Sequence, residues 1–247
     1  EKLRKEAEGH KLRSIPIRLL FNDPALNLRA DYSLFDRSTG RPVCVGNGET
    51  CRRTGNEGIA SLPCVGPDTC AFANGECKAY ARLNVIVGDG DEDALGSFVL
   101  RTTSFNTIRT LAARLQYFDA VSGGRLACMP LELKLRGKST TMSFRQAIYY
   151  VDLVVRSGLT LEQAIAEARQ KDEHRQESGF DQEALDEAAR KGFANGAFEE
   201  LEEDVSAVVE EFYPEAEPEE SGGNNVRMGP GGLRDRLEEK VARVGSG

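Results

Sequence analysis

Five of the six cysteines, Cys44, Cys51, Cys64, Cys70 and Cys77, fall within 34 residues. The segment that holds four of them, 46–78, also carries six glycines and two prolines and shows little helical or strand period. A stretch that cannot build its own core needs another staple. Cys51, Cys64, Cys70 and Cys77 are twelve, five and six residues apart, counting the residues between them. Zinc takes four soft ligands in a tetrahedron, and thiolates at about 2.3 Å satisfy it. Gly66-Pro67-Asp68 before Cys70 and Asn74-Gly75 before Cys77 supply the turns that aim sulfurs inward. The expected ligands are therefore Cys51, Cys64, Cys70 and Cys77, with Cys44 as the alternate. An all-thiolate site has no open position for water, so the zinc would be structural. Its binding would supply folding energy that the loop lacks. The chain has no cysteines paired two residues apart, so disulfides and unliganded thiols stay open as alternatives. Cys128 lies far from the others and reads as a core thiol.

Compartment weighs against the disulfides. Residues 1–12 alternate charge with little apolar content, which is not the pattern of a signal peptide. No apolar run approaches the roughly 20 residues that span a bilayer. Hydrophobic residues make up 40% and charged residues 29% of the 247, enough to bury a core in one large domain. The net charge of −8 divides unevenly: about residue 158 the chain passes from a mildly basic part to a strongly acidic one. No block is basic enough to announce nucleic acid by charge alone. Only His10 and His174 exist, so a zinc protease motif is excluded, and both sit among charged residues.

The pattern along the chain predicts an α+β fold, an antiparallel sheet with a packed helix. Residues 1–11 read as a charged arm. Ile15–Phe21 is a strand candidate, and Tyr32–Arg37 and Pro42–Val45 form a hairpin around Ser38-Thr39-Gly40. Leu83–Val87 and Gly96–Leu100 form a second hairpin. Ser104 caps a helix whose apolar positions run from Phe105 through Ile108, Leu111 and Leu115 to Phe118. Leu126–Leu135 alternates like a half-buried strand, Gly137-Lys138-Ser139-Thr140 is a loop, and Ala147–Val155 is a further strand. Thr160-Leu161-Glu162-Gln163 fits a capping box that opens an acidic helical extension. Three helices are expected there, the last over Ala197–Phe212. The organisation is an arm over 1–11, an α+β core over 12–158 with the zinc loop at 44–78, the extension over 159–213, and a flexible tail over 214–247. Leu233, Leu237 and Val241 give that tail an amphipathic helix over 233–244, suited to a partner.

Other motifs fail on their own chemistry. Gly137-Lys138-Ser139-Thr140 ends like a phosphate loop, but the glycine required earlier is Glu132. Asp89, Asp91 and Asp93 alternate as in a calcium loop, without the downstream glycine and glutamate. Arg52 and Arg53 beside Cys51 are candidate contacts to an acidic partner surface or to phosphates.

Several stretches together resemble a phage and prophage family. They are Ile15–Leu20, Asp31-Tyr32-Ser33, Gly46–Thr50, the Cys64–Cys70–Cys77 loop, Arg82–Val85, Gly96–Thr103, Arg109-Thr110-Leu111 and Tyr149–Leu153. The family is related to the recombination directionality factors that accompany large serine integrases. The resemblance implies a non-enzymatic, cytoplasmic protein of phage origin in a bacterial host. It implies a serine integrase as partner, DNA met only through the integrase complex, and no membrane. Binding would allow attL × attR excision and disfavour attP × attB integration. A zinc-containing nucleic-acid-binding phage protein is the alternative, and a metal-dependent hydrolase a more distant one.

Overall fold

A computed structural model describes residues 13–88, 98–139, 147–195 and 205–214. Among the described residues, nine strands form one antiparallel sheet in the order β5-β4-β3-β2-β6-β1-β8-β9, with β7 on β6. They are β1 (Ser14–Leu19), β2 (Leu28–Phe35), β3 (Pro42–Gly46), β4 (Thr50–Gly55), β5 (Gly58–Pro63), β6 (Lys78–Val87), β7 (Phe98–Thr102), β8 (Leu131–Ser139) and β9 (Ala147–Val155). The helices are α1 (Pro24–Asn27, a single turn), α2 (Phe105–Ser122), α3 (Leu161–Glu177), α4 (Gln182–Asn195) and α5 (Val205–Phe212). The expected α+β class holds.

The long strand β6 organises the sheet. Val85 pairs with Leu19 of β1 and Phe98 of β7, and Leu83 pairs with Leu28 of β2 and Leu100 of β7. A strand has two hydrogen-bonding edges, so β1 and β2 share one and β7 takes the other. β1 and β2 are thus one line of strand broken at residues 20–27. Buried Asn27 repairs the break: its Oδ1 accepts from the Leu20 and Phe21 N–H groups, and its Nδ2 donates to the Phe21 and Asp23 carbonyls. Asp23 caps α1 through the Ala25 N–H.

The main core lies between the sheet and α2. Leu111, Leu115 and Phe118 recur on one helix face and pack with Ile17, Leu83, Val85, Leu131 and Leu153. Ser104 caps the helix as expected, and Gly123, at φ +66, ends it in the left-handed conformation that favours glycine. The first helix of the acidic extension belongs to the same core. α3 buries Ala164 and Ala168 against it, and the Thr160–Gln163 capping box is formed. α5 seats Val208 and Phe212 on Phe35 and Tyr80.

Three expectations need correcting. Residues 46–78 are not devoid of regular structure, because β4 and β5 form a hairpin there. Gly55-Asn56-Glu57-Gly58 makes its turn, with Gly58 at φ +113. Leu126–Leu135 is not one strand. Leu126–Cys128 is a 3₁₀ turn, and β8 begins after Pro130, which has no N–H to give a ladder. Gly137–Ser139 belongs to β8 rather than to a loop, paired with Ala147–Tyr149. The expected third helix is described from Val205 onward; its proposed start at Ala197 lies outside the described residues.

Candidate metal centre and its surroundings

The cysteines are brought together by strand register. Across β3 and β4, Cys44 faces Arg53 and Gly46 faces Cys51; across β4 and β5, Cys51 faces Leu62. Side chains alternate along a strand, so Cys44, Cys51, Arg53 and Leu62 share one face. The Cys64 N–H donates to the Glu49 carbonyl at 2.8 Å, which holds the end of β5 against the β3–β4 turn. Asn47 shapes that turn, accepting from the Glu49 and Thr50 N–H groups at 2.9 Å each. Gly46 leaves room for the sulfurs. A Cβ there would stand 2.6 Å from Cys51 Cβ and 3.0 Å from Cys64 Sγ.

The segment from Cys64 to Cys77 then folds back over this face. Thr69 Oγ1 donates to the Val65 carbonyl at 2.7 Å. Asn74, at φ +47, is the one non-glycine with positive φ among the described residues, and Gly75 follows at φ +81. This pair turns the chain so that Cys77 enters β6. An ion pair from Arg37 to Glu76 at 2.9 Å ties the turn to the end of β2.

Cys51 and Cys77 both feel neighbouring sulfurs. Burial first, then the charges of Cys44, Cys64, Cys70 and Cys51, push the Cys77 thiol up to about 12. Burial, then a hydrogen bond with Cys44, push Cys51 up to about 11, and Arg53 pulls the other way. Cys51 and Cys77 therefore resist ionisation, through burial first and then through the sulfurs beside them. Soft sulfur donors that repel one another as thiolates suit a divalent cation such as zinc. The sulfurs are gathered but do not close into a coordination sphere: among the described residues, no group of three or more His, Cys, Asp or Glu is arranged to hold a metal ion. The donor set fits zinc in kind and in neighbourhood, and ligation would require the thiols to draw in.

Of the partner-contact candidates, Arg52 is exposed on the opposite face of β4. Arg53 is half-buried on the cysteine face, its Cζ 3.8 Å from the centroid of the Phe72 ring. Leu233, Leu237 and Val241 lie outside the described residues, as do His10 and Asp89–Asp93. His174 is exposed near the end of α3. Cys128 is buried in the main core, as expected, with Arg175 Nη1 3.6 Å from its sulfur. Sequence reasoning missed Gly46 and Phe72. Gly46 counted only as part of the Gly46–Thr50 stretch of the family resemblance, with no role at the site. Phe72, between Cys70 and Cys77, was an available signal, since an apolar ring in a polar loop invites a partner.

The rim of this end is apolar and open. Every residue of β5 is exposed, the strand carries no charge, and it forms an edge of the sheet. Ile59, Leu62, Val65 and Phe72 stand out, at 50%, 38%, 59% and 47% exposure. Edge strands are usually guarded by charge or proline, and here only Pro63 at the end of the strand does so. No helix among the described residues is long and apolar enough to cross a membrane.

The chain falls in a known class of recombination proteins. The model of the Gp3-like family, described as recombination directionality factor-like, matches residues 1–156. That is more than half of the chain and includes all nine strands, and the chain belongs to this family. Membership ties the protein to phage recombination. No curated protein and no solved structure gives a significant match.

Proposed function

We propose that this chain is a recombination directionality factor that docks on a large serine integrase and switches it from attP × attB integration to attL × attR excision. The observation that carries this reading is the family match across the whole sheet. The chain acts by binding rather than by catalysis. A binding protein reverses the preferred reaction only if it holds one synaptic arrangement more tightly than the other. Moving an equilibrium from 1:99 to 99:1 takes a preference of about 10⁴-fold. An open apolar rim is surface of the kind that partners cover, which supports a docking role.

In this reading a structural zinc ion is held by Cys51, Cys64, Cys70 and Cys77, with Cys44 able to replace one of them. It fixes the 64–77 segment to the β4–β5 hairpin and so braces the rim. The amphipathic stripe of Leu233, Leu237 and Val241 adds to the contact, as does exposed Arg52. DNA is met through the integrase, and the protein works in the cytoplasm of the bacterial host.

The test is recombination by a cognate serine integrase on paired attL/attR and attP/attB substrates, with and without the full chain. Excision should appear and integration should fall. If neither reaction changes, the directionality reading is wrong. Salt-dependent binding of the isolated chain to DNA would favour the nucleic-acid-binding alternative.

A further inference from the structure

We infer that Arg53 is a positioning residue of the cysteine centre: its guanidinium supplies the positive charge that faces the thiolates, and its stacking on Phe72 pins the segment carrying Cys70 and Cys77 over the β3–β4 hairpin. This inference rests on the zinc reading above.

Register puts Arg53 there. It stands directly across from Cys44, on the face of β4 that also carries Cys51. The charges of Cys44, Cys51 and Cys70 all act on its guanidinium. From the opposite direction the Phe72 ring lies against the guanidinium, with its centroid 3.8 Å from Cζ. Phe72 sits on the segment between Cys70 and Cys77, so this one contact joins two parts of the chain that both carry thiols. The Arg53 Nε is buried and has no hydrogen-bond partner. A buried donor without an acceptor is costly, and a guanidinium beside sulfur is where that cost falls once the sulfurs carry charge.

The chemistry asks for such a group. Four thiolates around one divalent ion leave a net charge of −2, and a half-buried −2 centre is stabilised by an outer cation or by N–H donors. Arginine suits both requirements here. Its plane stacks on an aromatic face while its edge donates, which a lysine ammonium cannot do at once. The same geometry separates Arg53 from Arg52. The two are adjacent in sequence, but alternation sends Arg52 to the other face of β4, where it is exposed. Arg53 therefore serves the centre, and Arg52 lies on the opposite face of the strand.

The experiment uses the full zinc-loaded chain and its Arg53→Gln, Arg53→Lys and Phe72→Leu variants. Zinc is withdrawn by competition with a chromogenic chelator, and cobalt is substituted to read the thiolate-to-metal charge-transfer band. Outer-shell substitutions typically cost 10- to 100-fold in metal affinity. Arg53→Gln should weaken zinc by at least tenfold and shift the cobalt band. Arg53→Lys, which keeps the charge but not the combined stacking and donation, should fall between the parent and Arg53→Gln. Phe72→Leu keeps the guanidinium and loses the stack, so it should speed zinc release while leaving the cobalt band in place. Circular dichroism of each loaded variant separates these effects from loss of fold. Parent-like zinc affinity in Arg53→Gln overturns the inference and leaves the zinc reading intact. A lysine variant as weak as the glutamine variant overturns it too, because charge is then not what Arg53 supplies. A parent chain that takes up no zinc overturns the zinc reading and this inference together.

Discussion

Gly46 shows how much a single missing side chain decides. It lies opposite Cys51, and a Cβ would meet Cys51 Cβ at 2.6 Å, the Thr50 carbonyl at 2.8 Å and Cys64 Sγ at 3.0 Å. Gly46→Ala should cost about 1–3 kcal/mol by overpacking, read as a lowered denaturant midpoint with an unchanged slope. It should also weaken the proposed metal binding, because the added methyl crowds Cys64 Sγ. Cys70→Ser and Cys77→Ser should each release metal and open residues 46–78 to protease; unchanged metal content and resistance in both would remove zinc from the account. Asp36 makes a separate prediction. Its Oδ1 accepts from the Ser38 hydroxyl at 2.6 Å and the Thr39 N–H at 2.8 Å, with the Thr39 hydroxyl and Ser38 N–H adding to these. Those bonds, the Ser38 hydroxyl foremost, lower its pKa from 3.8 to about 2. A depressed carboxyl stabilises the fold fully above its unfolded pKa and loses that contribution as pH falls through the folded one. Stability from this turn should therefore fade between about pH 4 and pH 2. Asp36→Asn should melt lower than the parent at neutral pH, with the gap closing over that window.

Elements tell a different story about what was legible. The helices were read from their own residues: Ser104 and Thr160 cap α2 and α3 where the local chemistry says they should. Helical signals are local, so a sequence displays them. The β4–β5 hairpin was missed because its strands bury almost nothing, and period-2 burial was the signal sought. Its Gly-Asn-Glu-Gly turn was visible but outweighed by the cysteines. β8 misled in another way. Its alternation suggested one buried face, yet Glu132 is buried, accepting from the Ser157 N–H and hydroxyl, while Leu135 is 47% exposed. Both residues are decided by what packs on the strand from distant sequence. α5 was legible as apolar, but not its seat. Phe212 is fully buried against Phe35 and Tyr80, and the Glu211 carboxylate accepts from the Thr103 N–H at 2.7 Å. Phe212→Ala should cost about 3–5 kcal/mol where the site cannot collapse, and should release α5 first. Hydrogen exchange would show this as lost protection in Val205–Phe212 ahead of β2 and β6.

At the scale of the molecule, the family match and the packed core do not share a boundary. The match ends at residue 156, while α3 beyond it buries Ala164 and Ala168 in the main core. Arg18, almost wholly buried in the sheet, donates to the Cys128 carbonyl and pairs with Glu167 of α3 at 2.9 Å. A chain ending at residue 158 would leave that guanidinium without its carboxylate and would bare the 3₁₀ turn. It should bind hydrophobic dyes and lose a single cooperative unfolding transition; a sharp melt at the full-length temperature would show the extension to be dispensable.

The interrupted line of β1 and β2 also sets an order of events during synthesis. Ser14 and Ile17 find their partners Lys134 and Leu131 only after more than a hundred further residues have been made. The cysteine hairpin and β6 need nothing beyond residue 87 to pair with β2. The ribosome therefore delivers all five clustered thiols while β1 still waits for β8. With zinc bound as proposed, the centre would form before the later strands are laid down.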